Sequence, residues 1–363
     1  MKQTTLKIVV LFALLIIVSC KNKNALLLPI KEVFVDAIAP DTIKGEIIGE
    51  FPGTEQLYSY DSLLFVETKD PSGQLRVLST KDHKQLINLC IKGRAKNEFI
   101  DARSFCNQFY INEGHVILVL SDNNFEMKMV DINESLIQNH TVVTKVVQPI
   151  VNARRGYSLY NPNKNEWFTH YNLSFEDPED EVYYPPRFTV SDSDYSKEYD
   201  IPVFGRLMDL PQHSSYPFFI YQGNMRMKPD NSKVVFAHFY MPYFFIFDLH
   251  NNDGLAVHAF GKTNFEDGYS PDDPTNIDLS INDVCVTDNY ILALCPNGKQ
   301  NGYVSNNLRP LIRCFNWEGD CLFSFTLDHI VCDIAYDETT KQLFALDNSR
   351  EIIYRYEVSK FFE

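Results

Sequence analysis

Residues 91–99 read IKGRAKNEF, an apolar strand end that closes on a glycine and a basic residue and reopens at an aromatic. Related closures recur as IIGEF at 47–51, VFGRLMD at 203–209 and AFGKTNF at 259–265. The glycines at 49, 93, 205 and 261 lie 44, 112 and 56 residues apart, so one repeating unit fits if the longest gap counts twice. Periods of this size mark stacked repeats. Between closures the chain carries short strands punctuated by turn residues. LLFVETKDPSGQLRVLSTKDHKQLINLCIKG (63–93) holds three, and KVVFAHFYMPYFFIFDLHNNDGLAVHAFG (233–261) holds three more. A four-stranded unit of this length is too small to be stable alone and buries its faces against its neighbours.

The count gives an all-β fold, a six-bladed β-propeller. The blades are expected at 51–93, 99–145, 151–205, 215–261, 280–328 and 330–361 plus 45–50. The last group supplies three strands, and TIKGEIIGEF (42–51) supplies an outer strand with no blade of its own. The ring is therefore expected to close by an N-terminal strand completing the last blade, which removes two exposed edges.

The chain opens MKQTTLKIVVLFALLIIVSCKNKN. The apolar run from Ile8 to Val18 covers only part of a ~30 Å hydrocarbon core. Lys2 and Lys7 precede it, and Ile17-Val18-Ser19-Cys20 follows, a pattern that resembles the bacterial lipobox. The expected division is a lipoprotein signal peptide at 1–19, a lipidated Cys20 with its tether at 20–44, and a single propeller domain at 45–363. Several acyl chains would hold the protein to a membrane. Loss of 1–19 removes two lysines and no acid, moving the formal charge from −15 to −17. So acidic a chain repels nucleic acid, which is excluded as a partner.

With Cys20 lipidated, seven cysteines remain: 90, 106, 285, 295, 314, 321 and 332. Most sit among apolar residues and read as small buried hydrophobes. Cys314 and Cys321 flank the turn NWEGD and could pair across a hairpin, in a register that looks offset.

These features together resemble the TolB-like six-bladed β-propeller lipoproteins of Bacteroidetes: the lipobox, GEIIGEF, IKGRAKNEF and FGKTNFEDGYS. The interblade stretch of that family runs G-[KR]-G-P-x-E-F. This chain keeps Gly93, Arg94, Asn97, Glu98 and Phe99, with Ala95 and Lys96 where Gly-Pro is expected. The resemblance implies fold and a cell-envelope location, and carries no catalytic residues. Surface-displayed lipoproteins of that phylum carry acidic residues after the cysteine. Here Lys21-Asn22-Lys23-Asn24 favours an outer-membrane anchor facing the periplasm.

No nucleophile elbow, zinc-protease helix, phosphate loop or EF-hand loop is present. The nearest approach to a constellation is an aspartate near the start of inner strands: Asp101, Asp283 and Asp333. Around a channel mouth they could hold a cation or a polyol. Alternatively each caps a turn or bonds a neighbouring blade's backbone. Arg103 and Arg226 could face the same mouth and hold an anionic or sugar ligand, or serve as interblade salt bridges. No cofactor is expected, and a divalent cation has no ligand motif behind it. Two functional readings follow. One is a binding or scaffolding module for a ligand or envelope protein at the axial face. The other is an envelope hydrolase or lyase using channel-mouth carboxylates.

Overall fold

The computed structural model describes residues 26–33, 41–122, 126–147, 156–171, 174–175, 183–184, 186–193, 196–205, 221–259, 278–295, 298–299 and 309–362. Six antiparallel sheets form the ring. Blade 1 runs from Thr54–Tyr60 to Gln85–Leu89, blade 2 from Arg103–Asn112 to Val143–Val147, and blade 3 from Gly156–Asn161 to Glu198–Ile201. Blade 4 runs from Gly223–Met227 to Asp253–His258 and blade 5 from Asp283–Val286 to Cys321–Leu327. Blade 6 joins Asp333–Asp337, Gln342–Asp347 and Ile352–Glu357 to Glu46–Glu50, so an N-terminal strand closes the ring.

The first strand of each blade is innermost, and these strands approach one another around the axis. Middle strands are covered on both faces by adjacent blades, which is why Leu63–Thr68 and Tyr243–Asp248 are near-continuous apolar runs. Outermost strands such as Gln85–Leu89 meet solvent and alternate. Blades 4 and 5 each gain a parallel fifth strand, Ile30–Glu32 beside Ala256–His258 and Thr42–Ile43 beside Thr326–Leu327. Part of the stretch expected to be tether is thus laid along the blades.

The repeated closure has a steric cause. Gly93 leaves room that Glu98 fills: a Cβ at 93 would stand 1.9 Å from Glu98 Oε2 and 2.4 Å from its Cδ. That carboxylate accepts from the Ala95 N–H at 2.9 Å, and Asn97 Oδ1 accepts from Val143 N at 3.1 Å. Phe99 is fully buried, with Lys128 Nζ 4.6 Å over its ring. Lys128 also pairs with the buried Asp122, whose Oδ1 accepts from the Ile100 and Asp101 amides. The motif is a clasp between blades 1 and 2. Gly93→Ala is expected to displace Glu98 and cost about 1–2 kcal/mol, the scale of a lost cap. Adding Glu98→Ala should produce little further loss in denaturant unfolding, because the clasp is already open.

Blade 2 also carries a helix that sequence periodicity does not announce, Ile132–Gln138. Asp131 caps it by accepting from Glu134 N at 2.9 Å, and Asn139 ends it at φ 56°. The seven described cysteines are all free. Cys314 lies opposite Phe323 and Cys321 opposite Phe315, with a bulge between, so no disulfide spans that hairpin.

Candidate functional site

The two aspartates at the starts of the inner strands of blades 5 and 6 lie together. Asp283 Oδ2 accepts from Ile334 N of blade 6 at 3.0 Å, and Asp333 Oδ2 accepts from Leu57 N of blade 1 at 3.0 Å. Each therefore latches its blade to the next. Related latches occur at three other junctions among the described residues. Glu67 accepts from Ser104 N (2.5 Å), Gln108 Oε1 from Tyr160 N (2.9 Å), and Asn224 Nδ2 donates to Asn282 O (3.0 Å).

Arg226, on the inner strand of blade 4, occupies the axis and is 2% exposed. Its Nη2 donates to Asp283 Oδ1 at 3.0 Å and its Nη1 to Met225 O at 3.1 Å. With the Asn107 carboxamide turned to satisfy its neighbours, Asn107 Oδ1 also accepts from Arg226 Nη2 at 3.1 Å. The guanidinium acts electrostatically on Glu67, Tyr157 and Asp333 as well, on three further blades.

Burial, and then the Asp283 carboxylate beside it, push the Asp333 carboxyl well above its ordinary range. Asp333 Oδ1 has no donor facing it. A proton on Oδ1, directed at Asp283, satisfies both observations. Arg226, Asp283 and protonated Asp333 then form a neutral set at the axis. Burial likewise pushes Glu67 up to about 7, against the lowering effect of the Ser104 amide and the Tyr58 hydroxyl. Its neutral form is favoured by folding, so its contribution is full below about pH 4.5 and is lost as pH rises through 7. The loss is about 3 kcal/mol. Glu67→Gln keeps an acceptor for Ser104 and removes that contribution, so its stability relative to the wild type is expected to rise by about 3 kcal/mol between pH 4.5 and 8 in unfolding measurements.

Asp101 lies elsewhere. It is half exposed, and its carboxylate accepts from Arg103 Nε at 3.1 Å. Arg103 also pairs with Glu55 of blade 1, an interblade bridge on the same rim. Cys20 and the acidic insertions around 176–182 and 265–277 lie outside the described residues.

A partly open cavity of ≈ 40 Å³ lies at the axis, with room for one to three waters. Tyr58, Ser59 and Tyr60 of blade 1 line it together with Asn107 and Phe109 of blade 2. Arg226, Met227 and Pro229 of blade 4, Cys285 and Val286 of blade 5 and Tyr336 of blade 6 complete the wall. Most of these residues lie toward the C-terminal ends of the inner strands, away from the strand starts that hold Asp283 and Asp333. Tyr60 stacks on Phe109 with centroids 4.9 Å apart. The first hairpin turns on this face present exposed Asp61, Glu113, Asp230, Asp288 and Glu338. Sequence reading did not find the tyrosines. The usable signal is register: Val286 and Tyr336 each stand three residues after a latch aspartate.

Burial pushes the thiols of all seven described cysteines upward, Cys106, Cys295 and Cys332 to about 12, so none is a ready nucleophile. No three His, Cys, Asp or Glu side chains among the described residues are grouped to hold a metal. No described helix is long and apolar enough to cross a membrane.

No family model matches the chain. No curated protein matches it either. Among solved structures, it is similar to a DUF4221 family member from Bacteroides vulgatus ATCC 8482, at 9% identity and TM-score 0.53, covering 87% of this chain and 98% of that one. It is also similar to a protein of Bacteroides fragilis NCTC 9343 designated as exported (10% identity, TM-score 0.48, 90% and 98% covered). A third is the β-propeller domain of Cps50 (Swd1) from Myceliophthora thermophila (12% identity, TM-score 0.43, 86% and 99% covered). At these identities the likeness is one of fold.

Proposed function

We propose that the protein is a binding module of the TolB-like lipoprotein kind, anchored through Cys20 to the periplasmic face of the outer membrane. Its partner is an envelope protein or other ligand engaged at the cavity face. The observation that carries this reading is the axial cavity built from five blades, walled by aromatic rings and by Arg226, whose charge is offset by Asp283. A cavity of ≈ 40 Å³ takes one protruding group rather than a whole small molecule, which suits a partner that inserts a single side chain or sugar edge. Of the three carboxylates considered for catalysis, Asp283 and Asp333 hold backbone amides of neighbouring blades, an arrangement that serves stability, and Asp101 pairs with Arg103 on the rim.

Peptide and glycan arrays probed with the mature protein in detergent test the site. Tyr60→Ala is expected to weaken a captured probe at least tenfold and Asp101→Ala to leave it unchanged, the scale of one lost anchor. The reverse pattern would move the site to the Asp101–Arg103 rim. Cys20→Ala is expected to shift the protein from the membrane to the soluble fraction.

A further inference from the structure

The described parts of the N-terminal segment, 26–33 and 41–50, lie on the outer edges of four consecutive blades. Leu26 pairs with Phe204 at the end of blade 3, and the Leu27 N–H donates to Val203 O at 2.8 Å. Leu26 and Leu28 are buried in the core cluster shared by blades 3 and 4. Ile30–Glu32 then follows blade 4, with Glu32 2.6 Å from His258 Nδ1 and Lys31 Nζ reaching Asp320 of blade 5 at 2.6 Å. Thr42–Ile43 follows blade 5, where Asp41 meets Lys360 at 2.8 Å, and Glu46–Glu50 completes blade 6. Pairing along main chains, buried leucines and ion pairs together make this segment a fixed strap.

Phe204 and His258 stand at the finishing ends of outermost strands. In a four-stranded antiparallel blade that end lies on the face where inner strands start, opposite the cavity. Only residues 21–25 separate Cys20 from Leu26. Six residue steps span at most about 20 Å. Blade strands of five to seven residues separate the two faces by a similar ~20 Å.

We propose that the strap sets the orientation of the propeller on a lipid surface. The rim of blades 3 and 4 on the strand-start face is held at the bilayer, and the cavity mouth is directed away from it, toward a partner in the aqueous space. This rests on the anchoring of Cys20 given above.

The experiment uses the acylated full-length mature protein in vesicles of phosphatidylethanolamine and phosphatidylglycerol doped with a lipid spin-labelled at the headgroup. A thiol-reactive fluorophore is placed at either end of blade 3, through Asp200→Cys on the strand-start side or Asn163→Cys on the cavity side. The unsubstituted protein gives the background from native thiols. Quenching is expected to be several-fold stronger for Asp200→Cys. A twenty-residue Gly/Ser insertion between Asn24 and Ala25 should bring the two to equality. Equal quenching with the native spacing, or stronger quenching for Asn163→Cys, overturns the orientation while leaving the anchor intact. Mass spectrometry of the N-terminal peptide separates the other failure, since a peptide without acyl chains overturns anchoring and orientation together.

Discussion

Arg226→Met is expected to cost the fold about 3–5 kcal/mol, the largest loss from any single side chain at the axis. Methionine fills most of the volume, so the loss is electrostatic rather than a cavity effect. It leaves the Asp283 carboxylate, 6% exposed, without the guanidinium that stands 3.0 Å from its Oδ1. It also withdraws a cation that acts on the Asp333 side of the pair. Combining Arg226→Met with Asp283→Asn removes the stranded charge, lets the carboxamide donate to Asp333 Oδ1, and keeps an acceptor for Ile334. The double variant is expected to recover at least half of the loss in a denaturant double-mutant cycle. Strict additivity of the two single losses would show that the ion pair is not the hub of the ring.

The blades were legible because their causes are local. A glycine at 93 is needed wherever a glutamate five residues on folds back into its side-chain position, and the turn chemistry between strands is written in single residues. The closing strand was legible for a different reason, since Glu46–Glu50 has strand character and no local partner. The site was only half legible. Asp283 and Asp333 lie together because both begin undistorted inner strands of adjacent blades. Asp101 precedes a strand whose register shifts between Arg103 and Gln108, and that bulge hands its latch positions to Glu67 and Gln108. Arg103 stands opposite Ser121 and Gln108 opposite Val119, so three extra residues are taken up in this strand, and no glycine or proline in the sequence marks the break. The cavity tyrosines escaped notice because strand-rich sequences use tyrosine everywhere. Only the closed ring distinguishes Tyr60, at the axis, from Tyr199, exposed on the edge of blade 3.

The blade 3–4 junction is built differently, and this makes it the acid-sensitive seam of the molecule. His170 of blade 3 and His238 of blade 4 both pack on Phe236 and are fully buried, with ring centroids 4.3 Å and 4.8 Å from it. Phe188 and Phe245 complete the aromatic surround. Burial pushes His238 down to about 3, against a small raising effect of the Gln222 backbone. Burial and then His238 itself push His170 well down. Both rings are therefore neutral in the folded protein, while in the unfolded chain each takes up a proton near pH 6.5. The unfolded state binds more protons below that value, so the stability these groups contribute is complete above pH 6.5 and is lost as pH falls toward the folded value. For His238 alone the loss between pH 6.5 and 5 is about 2 kcal/mol. Glu67 and Asp333 oppose it, because their protonated forms are the ones the fold prefers. Wild-type stability should thus vary little from pH 5 to 7, as the carboxyl and imidazole contributions offset one another. His238→Phe deletes one side of that balance. The variant is expected to become about 2 kcal/mol more stable at pH 5 relative to pH 7 than the wild type is, whatever its absolute stability. Parallel pH profiles for the two proteins in urea unfolding would show that His238 is solvated or paired in solution, and the seam would have to be rebuilt around it.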